Sequence, residues 1–510
     1  MNSIQSTASK VKSALADIRS FLLENRTTGQ TVAKNTIWLS ISNFGGRLLK
    51  AVVIIYAARV LDPVGWGIFS YAVTLAGFFT LFVDPGINVM LMREGSKTDE
   101  DGKARVFSTT FYMKLVLIAL VVLFVIFVGP LFTTLPGASA LLPIAALIII
   151  GDTLREFFSS FIRMKEKMEW EAGIFMLTNA CIVIFGFIVL FTAPSARSFG
   201  WAYAAGTSIG AIVALWPIRS YISKLFSSFS SKLVWPIIRS AWPFAVTGAL
   251  GVLLTNADIL IISWMKTAAD VGIYSAVVRI IQVLYLFPTI IQYSILPILS
   301  KVAGKNPERF RQIFEPTIAV IFAASIPMAF AGIFLGTPIM KFVFGAAYAA
   351  GGLSLSLLLL TMIVDYPGGV ISIAVFAHDH QKSLITASVI GGVSNVLFDL
   401  ILIPRFGITG SAVATLIAQI LNNVYLWYVM KKINYFEVLP RLKKITAASA
   451  IMAVASGLLL YMHVNLLAII GICVVIYFAL LMAFKDPLFK EMIKTVRMFS
   501  RSNRNPEIST

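Results

Sequence analysis

Five residues able to offer oxygen ligands recur at one depth in the second half of the chain: Asp258, Asn395, Asp399, Ser411 and Thr415. Asn395 and Asp399 are four apart, which puts them on one face of a helix. Three apolar segments carry the set, each about one to two turns from the same end. Two carboxylates, an amide, a hydroxyl and the Ser411 carbonyl are hard donors suited to an alkali cation or a proton. No cationic side chain stands beside them in sequence. The same groups also suit hydrogen bonding from helix to helix, so the spacing alone leaves open whether an ion sits there, and whether it is Na+ or H+.

Positive charge is placed elsewhere. Arg47 and Lys50, three apart, share a face midway along the first apolar segment, and Arg279 lies at a comparable level in the eighth. An ionised side chain at mid-bilayer costs about 2.5–3.5 kcal/mol on insertion scales, so each must face a hydrated space or a partner. Together these three suit a cationic cavity for a pyrophosphate headgroup, to which arginine offers paired donors. For Arg47 the competing expectation is an ion pair with Asp84 of the second segment, itself a substrate-site candidate. Lys114 is expected to snorkel to the interface. Asp152, Arg155 and Glu156, at i, i+3 and i+4, are expected to pair locally, with Arg155 also a substrate candidate. Asp365 precedes Pro367-Gly368-Gly369, where a helix break is expected, so that Asp365 lines a path or caps the freed groups. His378 and His380 lack a third ligand and are expected to be solvated. No catalytic residue emerges, and no cofactor is expected apart from a coupling ion.

The elements that must position these groups are transmembrane helices. Of 510 residues 58% are hydrophobic and only 13% charged, which excludes a water-soluble fold. Segments of about 20 apolar residues satisfy their own backbone only as helices. They fall near 35–58, 66–92, 107–129, 138–162, 171–192, 199–218, 237–264, 271–296, 313–336, 350–376, 383–403, 407–429, 442–462 and 465–484. With the N-terminus inside, 32 basic residues lie in cytoplasmic segments and five, Arg59, Arg197, Lys266, Lys341 and Arg405, in external ones. That alternation predicts a multi-pass protein of the inner (cytoplasmic) membrane with both termini cytoplasmic. The net charge of +18 thus meets lipid headgroups rather than nucleic acid. Residues 1–34 carry no cleavable signal and read as a cytoplasmic amphipathic segment, where the sequon at Asn25 would be inert. Cys181 and Cys473 predict neither a disulfide nor a zinc site. External loops are short and lack the paired carboxylates that a membrane glycosyltransferase or polymerase needs.

The chain also repeats itself. Gly67-Ile68-Phe69-Ser70 matches Gly272-Ile273-Tyr274-Ser275 at an offset of 205, and Phe199-Gly200 matches Phe406-Gly407 at 207. Six helices separate each pair, an even number, so the copies keep one orientation and are related by an axis along the membrane normal. The expected fold is all-α: about fourteen transmembrane helices, two six-helix lobes in parallel pseudo-twofold repeat, and two extra C-terminal helices. The divisions are a 1–34 segment, an N-lobe over 35–220, a linker over 221–235, a C-lobe over 236–430, the extra pair over 431–484, and a basic tail over 485–510.

The run "NTIWLSISNFGGRLLKAVVIIYAARVLDPVGWGIFSYAV", followed by "VDPGINVMLMREGSK", resembles the start of the polysaccharide transporter family, the O-antigen and lipid-linked oligosaccharide flippases. Asp84-Pro85-Gly86 with Arg93-Glu94 matches the family's second-helix ending. "YSAVVRIIQ", "ILPILSK" and "FGITGSAVAT" are similar to it as well. Asp62 replaces a usual glycine and Trp66 a usual tyrosine, both in the first turn region. The resemblance covers residues 35 to about 484. It implies alternating access by two lobes, an extra helix pair that accommodates a lipid tail, and a polyprenyl-linked oligosaccharide as substrate in a monomeric, cation- or proton-coupled antiporter. Glycan polymerase machinery and membrane lipids are the implied partners. Asp258, Asn395, Asp399, Ser411 and Thr415 are similar to the sodium site of lipid II flippases in the same superfamily. That superfamily also contains multidrug exporters, the alternative reading. Arg47, Lys50 and Arg279 argue against a cavity for cationic drugs.

Overall fold

The computed structural model describes residues 28–484, and every regular element there is helical. Residues 1–27, with most of the expected amphipathic segment, and the basic tail 485–510 lie outside the described residues. The principal helices are α1 (Thr28–Val83), α2 (Ile87–Gly95), α3 (Glu100–Phe127), α4 (Leu142–Met164), α5 (Met168–Thr192), α6 (Ala196–Ala214), α7 (Arg219–Ser227) and α8 (Ser231–Met265). They continue with α9 (Ala268–Leu284), α10 (Leu286–Val302), α11 (Pro307–Phe344), α12 (Gly352–Ala377), α13 (Gln381–Ile433), α14 (Leu439–Tyr461) and α15 (Leu466–Ala483).

Among the described residues ten apolar stretches are long enough to cross a bilayer. Two of them cross twice. α1 breaks at Asp62 (φ 56°) and α13 at Gly407 (φ 60°), each a single residue where a loop of several was expected. Pro63 opens the second arm of α1, a position where its missing N–H forfeits no helical bond. With α4, whose charges lower its hydropathy, and α8, the expected fourteen spans are accounted for.

The chain forms two compact units: Met1–Leu61 with Tyr71–Ala249, and Asp62–Ser70 with Leu250–Thr510. The first has a core of aromatic rings, with Phe107 stacked on Phe161 at 4.0 Å between centroids, and α7 seals it. Ser108 Oγ donates to the Leu225 carbonyl at 2.6 Å and Thr109 Oγ1 accepts from Ser230 N at 3.1 Å. The stretch 221–235, expected as a linker, is therefore largely helical and docked by its backbone. In the second unit α14 and α15 are pinned to α11. Glu315 accepts from Glu437 N at 2.9 Å and from Arg441 at 3.2 Å, and the Tyr477 hydroxyl donates to the Ala323 carbonyl at 2.7 Å.

The repeat is visible as a contact within the second unit. A Cβ on Gly67 would lie 1.8 Å from the Ala268 carbonyl oxygen, and one on Gly272 would lie 1.9 Å from that of Pro63. Residues 63 and 268, like 67 and 272, are related by the 205-residue offset, so the contact is reciprocal: each copy offers a glycine to the other's carbonyl. Such self-complementarity is the mark of a twofold relation. The other match is sequence only. Gly200 lies inside α6 beside a buried Phe199, whereas Gly407 breaks α13 beside an exposed Phe406.

Gly67→Ala and Gly272→Ala each drive a methyl into backbone that cannot yield as a side chain can. Each is expected to destabilise by about 1–3 kcal/mol or more, read as a lowered thermal midpoint of purified protein. Gly173→Ala, where a Cβ would meet nothing within 4 Å, should leave the midpoint at or above the parental value.

Candidate functional site

α8 and the two arms of α13 bring the expected oxygen set together, all within the second unit. Thr415 Oγ1 donates to Asp258 Oδ2 at 3.0 Å, and Asn395 Nδ2 reaches Thr415 Oγ1 at 3.5 Å. The i, i+4 spacing delivers Asn395 and Asp399 to one buried face, as expected. Ser411 is fully buried on the second arm, beyond the Gly407 break. Its carbonyl lies 3.0 Å from Thr415 Oγ1, whose single proton it shares with Asp258, and its own Oγ has no hydrogen-bond partner.

Tyr274, on α9, completes the cluster. Its hydroxyl donates to Asp258 Oδ2 at 2.5 Å while the ring is fully buried. Sequence reasoning met this tyrosine only as part of the repeat, because a tyrosine in an apolar helix reads as packing.

The cluster is oxygen-rich and incompletely satisfied. Asp258 Oδ1, both carboxylate oxygens of Asp399 and Ser411 Oγ are buried with no hydrogen-bond partner. Asp399 lies beside Asp258, so two carboxylates confront each other. An unpaired buried acceptor costs about 1–3 kcal/mol, and more when charged. Four such atoms at one point fit a small hard cation or added protons, with Asp258, Asp399, Ser411 and Asn395 as the residues that would hold it.

The other charges sort differently. Lys114 is fully buried and pairs with Asp84 at 3.1 Å; it neither snorkels nor leaves Asp84 to Arg47. The reason is position: Asp84 also accepts from Asn88 N at 3.1 Å at the start of α2, which fixes its carboxylate toward α3. Arg155 pairs with Asp152 at 3.5 Å and Glu156 at 3.7 Å, as its spacing implied, and Glu156 also holds Arg163. Arg163 in turn meets Glu171 at 3.3 Å. Lys50 donates to the Tyr203 hydroxyl and lies over that ring. Arg47 is exposed on the first arm of α1. Arg279 is half-buried and donates to Gln282 at 2.9 Å.

Asp365 accepts from the Tyr285 hydroxyl and from Asn423 Nδ2, the latter at 3.0 Å. The expected break beside it is absent: α12 runs unbroken through Pro367. Gly368 and Gly369 instead leave room for Asn423 and Gln292, whose side chains occupy the space where a Cβ would stand. His378 packs its ring on Phe310 at 4.7 Å and is tied to the Ala374 carbonyl, so it is not simply solvated.

The family model for polysaccharide biosynthesis proteins matches residues 32–303 of this chain. Over 394 residues the chain is 24% identical to a probable low-salt glycan biosynthesis flippase, Agl15, of Haloferax volcanii, covering 77% of this chain and 82% of that one. Over 407 residues it is 19% identical to a capsular polysaccharide biosynthesis protein, CapF, of Staphylococcus aureus, covering 79% and 100%. Among solved structures, the lipid II flippase MurJ in an inward closed conformation superposes with a TM-score of 0.74 at 21% identity, covering 90% of this chain and 100% of that one. An inward-facing multidrug resistance transporter of the MATE family superposes with a TM-score of 0.55 at 12% identity, covering 82% and 98%. Both share the fold.

Removing the acid from the Lys114–Asp84 pair, whose lysine is fully buried, should be far worse than removing the pair whole. Asp84→Ala strands the fully buried Lys114 ammonium and is expected to cost about 3–5 kcal/mol, Lys114→Ala less because the Asp84 carboxylate is half-buried, and Asp84→Leu with Lys114→Met should recover most of the larger loss. Thermal midpoints of the two singles and the double, compared as a cycle, decide it. Equal losses in all three would remove the pair from the account.

Proposed function

We propose a function from one premise: the chain belongs to the polysaccharide biosynthesis protein family. It is a flippase that moves a polyprenyl-pyrophosphate-linked oligosaccharide from the cytoplasmic to the external leaflet by alternating access, and it catalyses no covalent reaction. Its place is the cytoplasmic membrane, with both termini inside by the distribution of basic residues.

The observation that carries the reading is Arg47, an exposed cation midway along a membrane-spanning arm. Hydrocarbon does not tolerate such a group, so the surface that bears it faces water or an anionic ligand. Lys50, one turn along the same helix, and Arg279 add positive charge that suits a pyrophosphate, to which guanidinium donates in pairs. Asp84 and Arg155 serve the structure through their ion pairs. Asp365, with Tyr285 and Asn423, offers polar groups to the saccharide. A multidrug exporter of the same fold would take cationic compounds, which these charges repel.

The buried oxygen cluster supplies the drive. A cation or proton entering among Asp258, Asp399, Asn395 and Ser411 relieves the repulsion of two neighbouring carboxylates, and its release restores it. Coupling requires that occupancy differ between the two access states. Transport against a gradient then follows from ion movement down one.

Charge reversal of Arg47 or Arg279 should make lipid-linked oligosaccharide accumulate inside cells, with transport down about ten-fold, the factor carried by about 1.4 kcal/mol. Normal surface glycan at parental expression would defeat the cationic-cavity reading. Asp399→Ala, assayed in vesicles with imposed Na+ or pH gradients, should lose its gradient response; a parental response to both ions would remove the cluster from the coupling.

A further inference from the structure

The eighth span is two helices, α9 and α10, with Tyr285 between them. Pro288 explains the break: it has no N–H to give the Leu284 carbonyl four residues back, and its ring crowds that carbonyl. α12 answers the freed group. The hydroxyl of the fully buried Tyr366 donates to the Leu284 carbonyl at 2.7 Å. The neighbouring residue on each side makes a second tie, because the Tyr285 hydroxyl donates to Asp365. The joint of this span is thus bound twice to adjacent residues of α12, once through a neutral pair and once through a carboxylate.

The two ties respond differently to a proton. A hydroxyl on a backbone carbonyl has no acid to protonate. A hydroxyl on a carboxylate makes a charge-assisted bond, about twice as strong as its neutral counterpart, and the assistance is lost when the acid takes a proton. Asp365 meets two neutral donors, the Tyr285 hydroxyl and Asn423 Nδ2, and among the described residues no cation pairs with it. Asp84, Glu156, Glu171 and Glu315 each have one. Asn423 is fixed by a further bond to the Gln419 carbonyl at 2.9 Å. Of the titratable groups, Tyr285 and Tyr366 lie against Asp365. α11 has none between Glu315 and Lys341, α10 has Tyr293 and Lys301, and α9 has Asp270, Tyr274 and Arg279. α13 has Lys382, Asp399, Arg405, Tyr425 and Tyr428 before its basic end. Space favours a proton over a larger ligand, since the Gln292 and Asn423 side chains lie where Cβ atoms on Gly369 and Gly368 would stand, one turn along α12.

We propose that Asp365 is a proton site that works the joint of the eighth span. Ionised, it holds Tyr285 and keeps α9 and α10 at their present angle. Protonated, it loosens that hold, and the two helices realign about the bond from Tyr366 to the Leu284 carbonyl, which stays. The site is separate from the oxygen cluster at Asp258 and Asp399, and it takes H+ rather than Na+: one carboxylate facing a hydroxyl and an amide nitrogen offers a metal ion no shell of oxygens. The inference rests on the flippase reading, in which Asp365 offers polar groups to the saccharide, and adds that proton uptake there reshapes a span. A proton that binds one arrangement of the joint better than the other shifts the balance between them.

The test reads the joint directly, in full-length protein in phosphatidylethanolamine and phosphatidylglycerol vesicles. Spin labels on Ala269→Cys in α9 and Ile298→Cys in α10, with Cys181→Ala and Cys473→Ala, would stand about 43 Å apart along a straight helix at about 1.5 Å per residue. Double electron–electron resonance gives their separation as pH is lowered, and infrared difference spectroscopy on the same samples gives the C=O band of a protonated carboxyl. Acidification is expected to shift the separation as a carboxyl band absent from Asp365→Asn appears, and added Na+ at constant pH should leave that band unchanged. Asp365→Asn, an uncharged mimic, should hold the acid separation at every pH, and so should Tyr285→Phe. Asp399→Asn should keep the parental response. A separation that does not move with pH, one that still moves in Asp365→Asn, or a response lost in Asp399→Asn overturns the proposal. The parental measurement needs no change at the site, so a variant that fails to fold leaves the test standing. Flipping of lipid-linked oligosaccharide is measured in the same vesicles. Flipping with an unresponsive joint sinks the proton site and spares the flippase; a pH-driven joint in a chain that flips nothing does the reverse.

Discussion

Charge in hydrocarbon is the constraint on which this structure turns. Each ionised group inside a span is either cancelled by a neighbour or kept for use, because bare burial costs several kcal/mol. Most are cancelled. Lys114 and Asp84 neutralise each other, and Asp152, Arg155, Glu156, Arg163 and Glu171 form a chain of ion pairs along α4 and into α5. The cluster at Asp258 and Asp399 does the opposite: it brings two carboxyl groups together at one buried point, where Asp258 Oδ1, both Asp399 oxygens and Ser411 Oγ have no hydrogen-bond partner. That contrast within one chain is a stronger pointer to a working site than burial alone.

The spans were legible because a membrane helix announces itself twice, by apolar length and by the side on which Lys and Arg collect. What the sequence blurred was the joints. The stretches around Asp62 and Gly407 read as loops of several residues, yet one residue of unusual φ suffices to turn the chain. Pro367 read as a break, yet α12 continues, since proline forfeits only one hydrogen bond and the flanking helices pack closely over the two glycines that follow. Tertiary contact, absent from any local window, decided both.

The site was legible where it depends on spacing within one helix and illegible where it depends on pairing between helices. Asn395 and Asp399 had to share a face, and they do. Which cation Asp84 meets could not be read, since Arg47 and Lys114 stood at similar depth and only the turn at Asp84-Pro85-Gly86 aims the carboxylate at α3. Tyr274, Tyr285 and Asn423 went unseen for a related reason. A hydroxyl or amide in an apolar helix gains its meaning from the carboxylate opposite, which lies many residues away.

The internal repeat separates what sterics fix from what chemistry chose. At the offset of 205, Gly67 and Gly272 are both glycine because each abuts the other copy's backbone, where no other side chain fits. Asp258 has no acidic counterpart: the position 205 residues earlier is Val53, fully buried. Tyr274 corresponds to Phe69, the same ring without the hydroxyl. The copy that has the carboxylate has the hydroxyl that donates to it, and the copy that lacks the one lacks the other. A tyrosine kept only for packing would need no such agreement. The paired difference therefore assigns the Tyr274 hydroxyl to Asp258, and marks the oxygen cluster as something the second copy acquired, or alone retained, on a scaffold that the two share.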